Sequence, residues 1–446
     1  MKNSIKEKMS GWGGYPVENV NSIYPNDVDE ILREIKKGNV IARGNGRSYG
    51  DSAQNIQKTI NMRGFNKMLS FDNKFGVLEA EAGVLVEDII NTFLPKGWFP
   101  YVTPGSKFVS IGGLIGADVH GKNHHNEGSF RNYVEWLDLI NNEGSIVRCS
   151  REKNKDLFEW TIGGMGLTGI IVRAAIKLRP VTTGWIKQKT YTATKLDQIL
   201  DIFEKTKEST YSVAWININN KKNNFFETLI TTGEHATIEN LDEKKKSFPL
   251  KLINKKYLKI PFYFPEWFLN DLFVKIFNSI YYFFSKNSSK EKLIHWNSYF
   301  YPLDNILNWN KIYGKKGFLQ YQCVIPLSKS KDGLEELIRE IKKSKISSFL
   351  YVLKRFGKQG GKFSFPMEGY TIALDFPNNK KVLELLDRLD KIVIKFEGRV
   401  YLAKDSRMKK NIFKEFESRA QDFIDFRNKN NLINKFKSSQ SSRLEL

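Results

Sequence analysis

Two hydrophobic rhythms alternate along this chain of 446 residues. Residues 77–82, VLEAEA, alternate apolar and polar as a half-buried strand does. Residues 84–94, VLVEDIINTFL, space their apolar positions along one face of a helix, which PKGW then stops. Residues 134–140 and 145–149 predict a hairpin around NNEG, and residues 39–62 predict strand, glycine loop, strand. From about residue 190 the character changes. Predicted helices at 195–208, 332–345 and 380–396 are interleaved with predicted strands at 211–218, 226–233, 348–357 and 370–377. Such a mixture predicts an α+β fold. The break after Pro180 divides the chain into 1–185, 186–395 and a closing segment 396–446. The tail after Asn434 is polar and predicted to be loose, although it ends in SRLEL.

Residues 245–290 stand apart, being dense in aromatics and dotted with Lys. Two readings stay open for them: a segment that dips into a bilayer surface, and a helical insertion packed on the second domain. A run of about 18 apolar residues, as a membrane-spanning helix needs, is missing from the sequence. The first residues lack the apolar core of a secretory leader, so a cytoplasmic protein is the expectation.

Composition adds little to this. At 41% apolar residues the chain can fill packed cores, and its length suits two domains. The formal charge of +22 attracts polyanions, yet the basic residues are spread along the chain and no nucleic-acid motif accompanies them. Cys149 and Cys323 are too far apart for a metal or redox pair motif. His120, His124 and His125 sit in a glycine loop with no acidic or Cys partner, so no metal is expected. His120 reads better as a polar contact to a ligand.

Three glycine-rich segments change the picture more. ARGNGRSYGDS, residues 42–52, can expose a nest of backbone N–H groups to a pyrophosphate. Its spacing is not the Rossmann fingerprint, and by itself it is equally a plain turn. PGSKFVSIGGLIGADVHGKNHH and TIGGMGLTGIIV follow it. Three such segments within one α+β half are hard to explain by turns alone.

In this order the three segments resemble the FAD-binding domain of the vanillyl-alcohol oxidase (PCMH-type) flavoenzymes. FYPLDNILNWNKIYGKKGFLQYQCVIP, SFPMEGYTIALDFP and GRVYLAKDSR further resemble the branch of that family that oxidises polyprenyl-phosphoryl-ribose. The resemblance runs from about Gly11 to Leu446 and thins at 220–295. It implies a two-domain PCMH-type fold, with a substrate (cap) domain built on an antiparallel sheet.

For the cofactor the resemblance implies FAD. The first loop supplies Ala42, Arg43, Gly44, Asn45, Gly46 and Arg47, followed by Ser48, Tyr49, Gly50, Asp51 and Ser52. The second supplies Gly105, Ser110, Ile111, Gly112, Gly113, Ala117, Asp118, Val119 and His120, and Ile170 and Tyr401 complete the shell. Arg47 stands where several relatives carry a His that bonds covalently to FAD, so the implied FAD is noncovalent.

For catalysis the resemblance implies Lys404 of AKDSR. Oxidising a secondary alcohol needs loss of the hydroxyl proton and hydride transfer to the flavin. A charged Lys404 suits the developing alkoxide, a neutral one can take the proton, and an ordinary pair with Asp405 is the bland alternative. Substrate contacts implied by match are Tyr49, His120, Lys122, Trp215, Gln320, Gln322 and Lys354. Gln320 and Gln322 alternate along a strand, facing either sugar hydroxyls or solvent. Trp215 alternatively belongs to a core. Mycobacterial members carry a Cys-containing NIC where this chain has TIA, so Ala373 implies a pocket wall without a thiol.

The implied reaction oxidises the ribose 2-hydroxyl to a ketone, the first half of an epimerisation to an arabinose donor for cell-surface polysaccharide. An NAD(P)H-dependent reductase is the implied partner, and the lipid-linked phosphosugar implies peripheral contact with the inner face of the plasma membrane. The alternatives are an FAD oxidase of a free sugar, alditol or aldonolactone, and, more remotely, a non-catalytic basic binding protein.

Overall fold

The computed structural model describes residues 4–218, 226–252, 257–265, 282–283, 291–348 and 350–446. Among these, β1 (Ser4–Met9), β2 (Glu18–Ile23), β3 (Ile41–Arg43) and β4 (Thr59–Asn61) form a sheet ordered β1-β2-β4-β3. β3 and β4 lie parallel, Ile41 opposite Thr59. Parallel neighbours cannot be joined by a tight turn, so residues 44–58 cross back from the end of β3 to the start of β4. That crossover is the first glycine loop.

A second sheet is antiparallel throughout. It contains β5 (Met68–Asp72), β6 (Val77–Glu81), β7 (Trp98–Pro100), β8 (Val134–Ile140), β9 (Ile146–Ser150) and β10 (Ile170–Pro180). The order is β5-β6-β10-β8-β9, with β7 on β10. The hairpin expected around NNEG is β8–β9. The helix Val86–Phe93 lays Val86, Ile89, Ile90 and Phe93 on this sheet's core, as its spacing predicts.

The cap is one large antiparallel sheet. β11 (Trp185–Ala193), β12 (Tyr211–Asn217), β13 (Glu227–His235), β15 (Glu291–His295), β17 (Phe318–Pro326), β18 (Tyr351–Phe356), β19 (Gly369–Pro377) and β20 (Arg399–Val400) are ordered β15-β11-β13-β12-β18-β19-β17-β20. β14 (Leu258–Lys259) pairs separately with β16 (Ile306–Leu307). Along β17 the side chains alternate. Leu319, Tyr321, Cys323 and Ile325 enter a core shared with the helices Leu196–Lys205, Ser330–Ser344 and Lys380–Lys395. Each fully buried leucine there, such as Leu334 or Leu385, contributes about 1.5–3 kcal/mol. Gln320 and Gln322 are left on the other face of β17, toward the glycine-rich domain.

Two expectations need correction. The tail is not loose: Phe436 bridges to Val40, and Ser438 caps a helix Ser439–Leu444 by accepting from Ser441 N at 3.0 Å. Its polarity misleads because Ser438, Gln440 and Ser441 are buried while bonded, and Leu444 and Leu446 enter the core. The closing segment 396–446 also does more than return to the first domain, since β20 is the edge strand of the cap sheet, on β17.

Of the segment 245–290, only 245–252, 257–265 and 282–283 are described. Its described front half is tied down: Tyr257 OH donates to Glu87 at 2.9 Å, and Phe264 N to Lys311 O at 3.0 Å. Phe248, Leu258, Phe262 and Tyr263 stay exposed. Among the described residues no helix is long and apolar enough to cross a membrane.

Candidate active site

Between the glycine-rich domain and the open face of the cap sheet lies a cavity of about 970 Å³. This is the upper end of the range for small-molecule sites. Ala42, Gly44, Asn45, Gly46, Arg47, Ser48, Tyr49 and Ser52 line it from the crossover loop, and Gly105, Ser110, Gly112, Gly113, Ala117 and Val119 from the second glycine segment. The two loops are in intimate contact. A Cβ on Gly44 would stand 2.1 Å from Ser110 Oγ, and Asn45 Nδ2 donates to Phe108 O at 2.7 Å. Arg47 reaches the cavity wall with its guanidinium 4.1 Å over the Trp12 ring. Tyr401 closes the far side: its OH donates to Ala117 O at 2.8 Å and its ring stacks on Phe365 at 4.5 Å.

Six residues expected at the cofactor do not line the cavity. Arg43 lies beneath the loop, donating to Ser10 O at 2.7 Å and Ala53 O at 3.2 Å. Gly50 packs against Asp405, where a Cβ would meet the Asp405 carbonyl at 2.1 Å. Asp51 is taken up by Arg443, and Asp118 accepts from Arg131 N at 3.0 Å and from Ser364. Ile111 is core. Ile170 is also core, because strand alternation gives the cavity its neighbours Gly169 and Ile171 instead.

The substrate-side residues converge. Lys404 Nζ sits 3.9 Å over the Tyr49 ring, which packs edge-on against Phe318 at 5.3 Å. Asp405 turns away to Arg443 at 2.9 Å, so no Lys404–Asp405 pair forms. Burial pushes the Lys404 amine down to about 7, with Asp375 opposing and Lys354 assisting. Lys354, on β18, is pushed down to about 8 by burial. Lys122 is pushed down to about 7 by burial and by Lys354, donates to Tyr299 O and lies 4.3 Å over the Tyr299 ring. Among the described residues neither Lys354 nor Lys404 has a hydrogen-bond or ion-pair partner for its ammonium group.

Gln320 and Gln322 line the cavity and are buried, so theirs is not a solvated face. Gln320 Nε2 donates to Asp375 at 2.5 Å, and Gln322 Nε2 to Thr371 Oγ1 at 3.2 Å and His120 Nε2 at 3.0 Å. His120 is held well below the usual imidazole range by burial and next by Lys354, and is neutral. His124 meets Gln359 and His125 the Ser209 carbonyl, both away from His120. Trp215 lines the cavity, while its neighbours Ala214 and Ile216 enter the core. Ala373 is on the wall as well, and both cysteines are buried elsewhere.

Sequence reasoning missed Asp375, which lines the cavity and is pushed up to about 6 by burial. A signal existed: it lies two residues beyond Ala373 on the same face, and β17–β19 register sets it opposite Gln320. Asp304, Trp12, Tyr299 and Phe300 on the wall carried no such signal.

Comparison with known proteins agrees with this geometry. The FAD binding domain family model matches residues 23–150. A decaprenylphosphoryl-beta-D-ribose oxidase from Mycolicibacterium smegmatis is 33% identical over 451 aligned residues, covering 99% of this chain and 98% of the relative. This chain belongs to the decaprenylphosphoryl-β-D-ribose oxidase family. This chain resembles other proteins more distantly. An uncharacterised protein of Streptomyces coelicolor is 27% identical over 79% of this chain and 97% of its own length. Cytokinin dehydrogenase 5 of Arabidopsis thaliana is 28% identical over 39% of this chain and 34% of its own.

The protein is an FAD-dependent oxidoreductase of the PCMH type. Its residues fit that cofactor. Two glycine loops meet along one wall of the cavity, so closely that a Cβ on Gly44 would collide, and the polar Ser48, Ser52 and Ser110 line the same wall. The side chain in the linking position, Arg47, has no nucleophile that could form a flavin bond. Acid precipitation of the yellow protein is therefore expected to leave the colour in the supernatant. A yellow pellet would mean a covalent link elsewhere.

Proposed function

We propose that this enzyme oxidises the 2-hydroxyl of a polyprenyl-phosphoryl-β-D-ribose to the 2-ketone. The observation that carries this is the unpaired charge of the cavity. Lys122, Lys354 and Lys404 are three buried lysines that line it, Lys354 and Lys404 without an ammonium partner among the described residues, and Asp375 is the carboxylate that acts on Lys404. Buried charges call for an opposite charge, and a sugar phosphate ester supplies one. The amides of Gln320 and Gln322 suit ring hydroxyls, each already oriented by a second bond. Apolar wall residues such as Trp215, Ile294 and Val352 suit a lipid tail.

Bound FAD supplies the two-electron acceptor. The chain supplies the rest. Lys354 and Lys122 hold the phosphate. Lys404, neutral in about half of molecules near pH 7 given its depressed value, accepts the hydroxyl proton at Nζ as the carbon-bound hydrogen leaves. His120, neutral and fixed by Gln322, borders the sugar without adding charge. The cap excludes water from the desolvated amines.

The ketone then passes to an NAD(P)H-dependent reductase, completing an arabinose donor for cell-surface polysaccharide. The enzyme works at the inner face of the plasma membrane. Support for that contact comes from exposed Phe248, Leu258, Phe262 and Tyr263, among Lys244, Lys251 and Lys259.

The test is anaerobic mixing with polyprenyl-phosphoryl-ribose while following flavin bleaching. Bleaching is expected, and its rate should rise as pH increases through about 7, because the neutral form of Lys404 is the base. A rate that falls through that range would make the charged form the active one. Bleaching by free pentose or alditol, equal to that by the phospholipid, would favour the free-sugar oxidase instead.

A further inference from the structure

The tail folds onto the site from outside. Arg443 makes a two-pronged bond to Asp51 on the crossover loop, Nε to Oδ2 at 3.0 Å and NH2 to Oδ1 at 2.7 Å. The same NH2 reaches Asp405 Oδ2 at 2.9 Å, and NH1 reaches Met408 O at 2.6 Å. Gln440 repeats the pattern: its N–H donates to Asp51 O at 3.2 Å and its Nε2 to Leu402 O at 2.8 Å. Thus one short helix holds residue 51 of the cofactor-side loop and residues 402–408 around Lys404 at once. The two loops also touch directly, Tyr49 N donating to Ala403 O at 2.9 Å. Asp51 and Asp405 are both buried carboxylates facing the same guanidinium. Without it Asp51 would lose its guanidinium, Asp405 would keep the backbone N–H groups of Arg407 and Met408 and the more distant Arg407 charge, and the two buried carboxylates would repel each other.

We infer that Arg443 is a positioning residue that holds the cofactor-side glycine loop and the Lys404 loop in register. It touches neither the cavity nor Lys404. It acts through Asp51 and Asp405, and so sets where Lys404 stands relative to Tyr49 and the loop that carries it. The functional consequence rests on Lys404 being the acting base.

The test compares holoenzyme carrying Arg443→Ala and Arg443→Lys with the wild type. Titrating apoprotein with FAD should give a dissociation constant raised about tenfold in Arg443→Ala, the size of an ordinary coupling between sites. At saturating FAD, well below the melting temperature, flavin reduction by polyprenyl-phosphoryl-ribose should fall about 100-fold, as for a displacement of about 1 Å. Substrate KM should move much less than the rate. Arg443→Lys keeps the charge and should recover part of both losses. It also serves alone if Arg443→Ala fails to fold, and is then expected to lose about tenfold in rate. A purely structural role would lower thermal stability and leave the rate at saturating FAD intact. Wild-type FAD affinity and rate in folded Arg443→Ala, or in Arg443→Lys where Arg443→Ala does not fold, would overturn the inference. If wild-type flavin is not reduced by this substrate, the proposed reaction fails, while the FAD affinities still decide whether the tail positions the loop.

Discussion

Lys404→Ala is expected to keep its yellow flavin and to lose substrate-driven reduction by about 10³-fold, within the span of general-base removal. The cofactor should stay because the substitution leaves both glycine loops unchanged and removes only an amine that packs over the Tyr49 ring and acts on Asp375. Stability should not suffer either. A lysine whose folded pKa, about 7, lies below its unfolded value disfavours folding at all pH below that unfolded value. The penalty grows as pH falls toward about 7 and is full below it. Removing the amine relieves it, so the melting temperature at pH 7 should equal or exceed that of the wild type. Stopped-flow bleaching and thermal unfolding check the two halves. Loss of FAD from this variant would make Lys404 a cofactor residue and would sink its role as base.

Lys354→Met should raise KM for polyprenyl-phosphoryl-ribose about 100-fold with little change in the kcat reached on the high-pH plateau. A charge-assisted bond of about 1.5–3 kcal/mol, made equally in ground and transition states, predicts that pattern. A second effect follows from the electrostatics. Lys354 lowers the pKa of both Lys122 and Lys404, so its removal raises both. The rising limb of the pH profile should therefore move to higher pH. A phosphate-binding role needs both changes. Unchanged KM, with the pH shift present, would assign the phosphate to another cation.

The two kinds of side-chain periodicity read correctly for the elements predicted in 77–149 and in 195–233 and 332–396, because each has one face on a core. The helix Lys380–Lys395 is an example. The glycine loops were legible because close backbone approach tolerates no Cβ, as at Gly44. Misreadings arose where polar residues are bonded inside. Nothing local marks Gln440 and Arg443 as buried or paired, since their partners lie far back in the chain at Asp51 and Asp405. The Ile170 side chain lies in a core while Gly169 and Ile171 line the cavity, and only the register of β10 reveals which face is which.

By itself, then, the sequence determined the α+β class, the three glycine-rich segments, the family and its FAD, and three lysines that line the cavity. These depend on residue type, order and local spacing. The tertiary structure alone decided that the crossover loop and the Lys404 loop meet, that Asp375 faces Gln320, that Lys404 loses its ordinary pKa, and that the tail clamps both loops. Those facts follow from desolvation and from pairing between residues tens to hundreds of positions apart, and neither is written in any local stretch of chain.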